Sequence, residues 1–187
     1  MNVYKLIIQR RTIRRFMQKK IAKSILFDCL NAGRLAPSAA NLQPLEYILI
    51  TRNLNEVFKC TEWAGYLQEA SPKKNEEPVA YIVIMSNTRI NQDAKYDVGL
   101  TAENIILTAL EKGIASCIIG SINRKKLVKI LNIPKNYIIE LTIALGYPKQ
   151  KSVEEEFKKD VKYWLDKESL LHVPKRKLKD IIHEEKF

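Results

Sequence analysis

Residues 93–112 constrain this chain more than any other stretch. Ala102, Ile105, Ile106, Ala109 and Leu110 recur at the i, i+3, i+4, i+7, i+8 spacing of one helical face, and Val98 and Leu100 widen the stripe. Gly113 follows as the residue that can close the helix in a left-handed conformation. A buried face built partly of small side chains suits close packing against a second helix or a second subunit.

Four apolar runs surround this helix. Residues 47–50 and 79–85 read as strands buried on both faces, and 114–119 and 138–145 as two more strands, the third ending at Gly120-Ser121 and the fourth at Gly146-Tyr147-Pro148. Ile25, Leu26, Cys29, Leu30 and Gly33 place an apolar face on a helix over 23–35, although Ala22 is a poor cap for its start. Val3, Leu6 and Ile7 mark a short helix over 3–11, after which Ile13 and Phe16 alternate with charged residues in an extended segment. Asn123 is a suitable N-cap for a short helix carrying Leu127, Ile130 and Leu131, which Pro134 ends. Residues 53–77 read as a short helix and a mobile polar loop, a candidate for shaping access to a site.

Between the helix over 23–35 and the first strand lies Ala36-Pro37-Ser38-Ala39-Ala40-Asn41-Leu42-Gln43-Pro44. Its two prolines restrict both ends, and the small and polar residues between them leave room for something flat to approach the backbone. Local composition fits an ordinary connector equally well.

The C-terminal part has a different character. Residues 149–160 are a charged run without core pattern, expected as an exposed excursion. Val161, Tyr163 and Leu165 alternate as in a short strand, and Lys175-Arg176-Lys177 precedes a last amphipathic piece with Leu178, Ile181 and Ile182. A tail that leaves a domain and returns to order packs on something, and a partner subunit is one such surface.

Inventory removes several chemistries. The only histidines are His172 and His183, which excludes an HExxH site, and Cys29, Cys60 and Cys117 are too scattered for a disulfide framework or a metal ligand set. No metal site is expected. Six dispersed glycines make neither a Rossmann fingerprint nor a Walker A loop. No apolar run approaches the roughly 20 residues that span a bilayer, and the basic cluster follows the first apolar stretch, the wrong order for a secretory signal. A cytoplasmic protein without membrane association is the expectation. The net charge of +11 admits a polyanion partner, yet no aromatic residues interleave with the basic clusters and no nucleic-acid-binding motif is present. Nucleic acid is not the expected partner.

The residues left over form an ordered set. Arg10-Arg11-Thr12-Ile13-Arg14-Arg15-Phe16, the loop 36–44, Asp97 to Asn104, Cys117-Ile118-Ile119-Gly120, Ala144-Leu145-Gly146-Tyr147-Pro148 and Val173-Pro174-Lys175-Arg176-Lys177-Leu178 together resemble the signature of the FMN-dependent nitroreductase family over essentially the whole chain. The resemblance implies an α+β fold, a nitroreductase-like mixed and largely antiparallel central sheet flanked by helices in three layers, in an intertwined homodimer. It implies one domain over 1–187, with 149–187 an extended tail packing on the partner. It also implies an oxidoreductase that carries hydride from NADH or NADPH through FMN to a nitroaromatic, quinone or similar small-molecule oxidant.

By matching position, Arg10, Arg11, Thr12 and Arg14 would hold the phosphate and ribityl chain of FMN, joined by Lys175 and Lys177. Pro37, Ser38, Ala39 and Asn41, with Gln43 as a further polar neighbour, would line the ring from the other subunit. Cys117, Ile118, Ile119 and Gly120 would approach the reactive edge of the ring, and no protein residue need be catalytic because the flavin carries the chemistry. Cations at both ends suit the phosphate dianion and the charge that reduction adds to the ring. Leu45 replaces an aromatic residue common in the family, Ile119 a frequent glutamate and Lys177 a frequent arginine; the first two make the cleft more apolar and bear on substrate choice. A basic polyanion-binding protein without flavin and a flavin-binding protein without turnover are the alternatives.

Overall fold

The computed structural model describes residues 2–63, 65–67, 69 and 71–187. In chain order the elements are α1 (Val3–Gln9), β1 (Phe16–Met17), α2 (Lys23–Arg34), β2 (Leu45–Ile50), α3 (Leu54–Phe58), β3 (Ala80–Asn87), α4 (Lys95–Glu111), β4 (Ala115–Ile119), α5 (Arg124–Ile130), β5 (Tyr137–Pro148), β6 (Ser152–Glu156), β7 (Trp164–Leu165) and β8 (Leu171–Lys175).

Strand β3 is the centre of the main sheet, and its alternation creates three layers. Tyr81, Val83 and Met85 join a core with Val57 of α3 and Leu127 of α5, while Ala80, Ile82 and Ile84 join a second core with Leu26 of α2 and Ile105 and Ile106 of α4. Every side chain of β3 from Ala80 to Ser86 is buried. The sheet runs β2-β3-β5, with β4 on the far edge of β5 and β1 at its end, and all of these pairings are antiparallel. A parallel bridge from Thr12 to Ser116 ties the N-terminal arm to β4.

The long helix ends as its glycine requires. Gly113 has φ +73, its N–H donates to Leu110 O at 2.9 Å, and Ile114 N–H donates to Ala109 O at 2.9 Å, closing a Schellman turn. Gly33 makes the approach of α2 to α4 possible: a Cβ there would lie 2.8 Å from Ile105 Cγ1. Asn123 does cap α5, accepting from Lys126 N–H at 3.1 Å, and Ala22 gives α2 no side-chain cap.

Four expectations need correction. β2 is not buried on both faces; it is an edge strand, and Tyr47, Ile48 and Leu49 are only partly covered. A continuous apolar run does not distinguish a central strand from an edge. Leu100, Val3 and Ile7 are exposed, so α4 and α1 bury narrower stripes than their patterns promise, α1 only through Leu6. The charged run after residue 149 contains β6, which pairs in parallel with β8 while β7 pairs antiparallel on β8's other side, making a three-stranded tail sheet. The strand expected around Val161 to Leu165 is confined to Trp164 and Leu165. The loop expected after α3 includes residues 64, 68 and 70, which lie outside the described residues; at its far end Glu76 meets Arg15 and Lys149 and accepts from Phe16 N–H through its carbonyl.

Candidate functional site

The loop after α2 is held by a buried carboxylate. Asp97, in the first turn of α4, accepts from Ser38 Oγ at 2.6 Å and from Ala39 N–H at 3.2 Å; Ser38 Oγ accepts in turn from Gln43 N–H at 2.9 Å. A carboxylate at this end of a helix is also favoured by the helix dipole. The backbone between these anchors is strained: Ala40, Asn41 and Gln43 have φ of 48, 54 and 50. Left-handed conformations cost a non-glycine residue roughly 1 kcal/mol or more each and persist where surrounding bonds enforce them. Pro37, Ser38 and Gln43 line a cavity of about 150 Å³ with Leu45, Tyr47 and Asp97.

A second cavity, of about 330 Å³, lies at the end of β4. Cys117, Ile118, Ile119 and Gly120 line it together with Arg14, Glu62 and Trp63. The Arg14 guanidinium lies 4.7 Å from the centre of the Tyr163 ring, and among the described residues no carboxylate comes within 4.0 Å of it. Burial pushes the Cys117 thiol up to about 11, an effect that Arg14 partly offsets, so this cysteine is a neutral wall of the cavity and no thiolate nucleophile. Ile119 is buried beside it.

Arg11 and Lys177, two of the cations expected at a phosphate, lie along the tail sheet. Arg11 caps the end of α1 through Nη1 bonds to Ile8 O and Arg10 O, while its Nη2 pairs with Glu154 of β6; its buried Nε has no hydrogen-bond partner among the described residues. Lys177 pairs with Glu156 of the same strand at 2.7 Å, and that hydrogen bond and attraction hold its ammonium above the ordinary lysine range. Arg10 pairs with Glu103 of α4 at 3.6 Å, and Thr12 sits against Ser116. Lys175 ends β8, with its backbone opposite Glu156.

Two groupings are thus assembled within one chain: Arg14 with Cys117 to Gly120, and Arg11 with Lys177. The loop carrying Pro37, Ser38, Ala39, Asn41 and Gln43 is not brought to either. It leads into β2 at one edge of the sheet, whereas β4 lies at the other, about 14 Å away across three strand spacings. Asp97, Trp63, Tyr163, Glu154 and Glu156 are not among the candidate site residues named from the sequence. An acidic residue in a first helical turn and glutamates two apart were the only local signs of three of them.

The Nitroreductase family model matches residues 7–147. The chain belongs to that family. A candidate NADH dehydrogenase/NAD(P)H nitroreductase of Archaeoglobus fulgidus is 31% identical over 156 residues, covering 78% of this chain and 84% of the relative. A nitroreductase family protein from Clostridium novyi NT shares the fold at a TM-score of 0.70 and 25% identity, over 80% of this chain and 86% of its own. A candidate nitroreductase from Desulfovibrio desulfuricans, solved in complex with FMN, superimposes with a TM-score of 0.75 at 21% identity, over 100% of this chain and 98% of its own. Among the described residues of this family member, no helix is long and apolar enough to cross a membrane.

Proposed function

We propose that the protein is an FMN-dependent oxidoreductase that accepts hydride from NADH or NADPH and delivers it to a nitroaromatic, quinone or similar small oxidant, as a homodimer with shared sites. Family membership and the nitroreductase name of the Archaeoglobus fulgidus relative support the reaction class, and the FMN complex of the Desulfovibrio desulfuricans protein supports the cofactor. The observation that carries the reading is Arg14, a cation without a carboxylate partner among the described residues, lining a cavity with Cys117 to Gly120.

The residues fit the cofactor. A buried Arg11 Nε with no hydrogen-bond partner among the described residues, and two cations held along the one strand β6, suit a phosphate dianion, because guanidinium and ammonium groups bind it through charge-assisted bonds. Bound FMN supplies two-electron redox chemistry at a ring that reductant and oxidant approach in turn. Arg11, Lys177, Arg10, Thr12 and Lys175 would anchor its phosphate and ribityl end, and Arg14 would offset negative charge at the ring. The loop from Pro37 to Gln43 would cover the ring from the second subunit, and the tail over 149–187 of this single domain would pack on that subunit. Leu45 and Ile119 would keep the cleft apolar and exclude water.

The test is an absorbance spectrum of the purified protein, before and after each reduced nicotinamide is added without oxygen. Uptake of FMN and bleaching of its visible bands are expected. A protein that takes up no FMN removes the reading, and one that binds FMN without bleaching is a flavin carrier without turnover.

A further inference from the structure

Strand β6 runs Ser152-Val153-Glu154-Glu155-Glu156, and its alternation sorts three glutamates onto two faces. Glu155 faces the tail sheet's own aromatic pair: its Oε1 accepts from Trp164 Nε1 at 2.8 Å and its Oε2 lies 3.2 Å from His172 Nδ1. Glu154 and Glu156 take the other face, where one pairs with Arg11 and the other with Lys177. Two residues of strand advance about 7 Å, so the two glutamates hold Arg11 and Lys177 along the same face of one short strand.

We propose that Glu154 and Glu156 form an acidic clasp that occupies the cofactor-phosphate cations and is displaced when the phosphate binds. The inference rests on the FMN reading above and adds to it a competitor built into the chain. Both carboxylates are about half exposed, at 51% and 58%, so water and salt weaken their hold on the cations. A phosphate dianion concentrates on one group the charge that the clasp spreads over two half-exposed side chains, reaches both cations at once and prevails over them. Without cofactor, the clasp keeps Arg11 and Lys177 from repelling each other and holds β6 and the end of β8 in place. With cofactor, β6 is released from that face while Glu155 still anchors it to His172 and Trp164. The clasp therefore sets cofactor affinity and its dependence on salt.

The experiment titrates FMN into the full-length apoprotein and follows quenching of flavin fluorescence, comparing the wild type with Glu154→Gln/Glu156→Gln and with Glu155→Gln. The single variant removes charge from the same strand without freeing a cation. The double variant is expected to bind FMN about three- to tenfold more tightly, the range set by two exposed ion pairs, and Glu155→Gln to stay within about twofold of wild type. No tightening in the double variant, or equal tightening in Glu155→Gln, overturns the clasp. Thermal melts with inorganic phosphate separate the two layers of inference. If no variant binds FMN but phosphate raises the melting temperature of the double variant more than that of wild type, the FMN reading fails and the clasp stands. If phosphate also fails to discriminate, the clasp falls with it.

Discussion

Ser38 Oγ and Asp97 Oδ2 lie 2.6 Å apart, joining a surface loop to the buried first turn of α4 across 59 residues of sequence. Asp97 is 3% exposed, and its two carboxylate oxygens are satisfied by this bond and by the Ala39 N–H. Ser38→Ala is expected to lower stability by about 1.5–3 kcal/mol, the range for a hydrogen bond to a charged group. Urea unfolding measures it. A loss below about 0.5 kcal/mol, within the scatter of surface substitutions, shows that the bond does not hold the loop.

The bond also marks where sequence reasoning stopped. The Pro37 to Pro44 segment was legible as a constrained loop, yet its strain at Ala40, Asn41 and Gln43 and its anchor on Asp97 are tertiary facts with no local pattern. Residues 93–112 gave a helix to within two residues, because Ile105 and Ile106 sit on one stripe and Gly113 must take a positive φ. Leu100 and Tyr47 were harder, since an apolar side chain looks the same whether its own chain covers it or not. β6 escaped notice for the opposite reason: its glutamates are fixed by cations from Arg11 and Lys177, far away in sequence, and charge pairing across such distances leaves no periodic trace.

Arg14 gives a prediction about binding separate from folding. Its guanidinium has the Tyr163 ring beside it and no carboxylate partner among the described residues, so Arg14→Ala costs the apoprotein only about 0.5–1 kcal/mol, the value of an exposed cation–π contact. FMN affinity is expected to fall by about 1.5–3 kcal/mol, on the order of 10- to 150-fold. Fluorescence titration reads this directly. Unchanged affinity removes Arg14 from the site.

Gly146 links the sheet to that arginine. A Cβ at Gly146 would lie 2.7 Å from Phe16 Cβ, and Phe16 is fully buried, so the side chain cannot swing away without moving β1. Because β1 begins two residues after Arg14, Gly146→Ala is expected to lower stability by about 1–3 kcal/mol and to weaken FMN binding as well. Chemical denaturation and the same flavin titration measure the two effects. Full stability in the variant contradicts the packing argument.

Cys117 predicts a pH dependence. Burial raises its thiol from the ordinary 9.0 to about 11, so the folded chain keeps a proton that the unfolded chain releases first. The stability this contributes is whole below pH 9 and is lost as pH rises toward 11, at about 1.4 kcal/mol per pH unit in the steep region. Cys117→Ala removes the thiol, and between pH 8.5 and 11 it is expected to lose roughly 2 kcal/mol less than wild type. Parallel losses for the two proteins rule out a thiol contribution.

Placement of the two proposed walls of the site on opposite edges of the sheet allows a test of shared sites by mixing two defective chains. Arg14 accompanies β4, and Asn41 leads into β2, with β5 and β3 between those strands. If one site takes Arg14 from one subunit and the loop from the other, a heterodimer of an Arg14→Ala chain and an Asn41→Val chain carries both defects in one site and neither in the other. Valine is β-branched and resists the φ of 54 that Asn41 adopts, so the second variant distorts the loop without touching the cations. Each homodimer alone should bind FMN poorly. After the two are denatured together and refolded in equal amounts, about a quarter of all sites should regain wild-type affinity, since half the dimers are mixed and each has one intact site. A biphasic titration with that tight fraction is the expected result. Recovery that never exceeds the two separate proteins places Arg14 and the loop on the same subunit's site, or in different sites altogether.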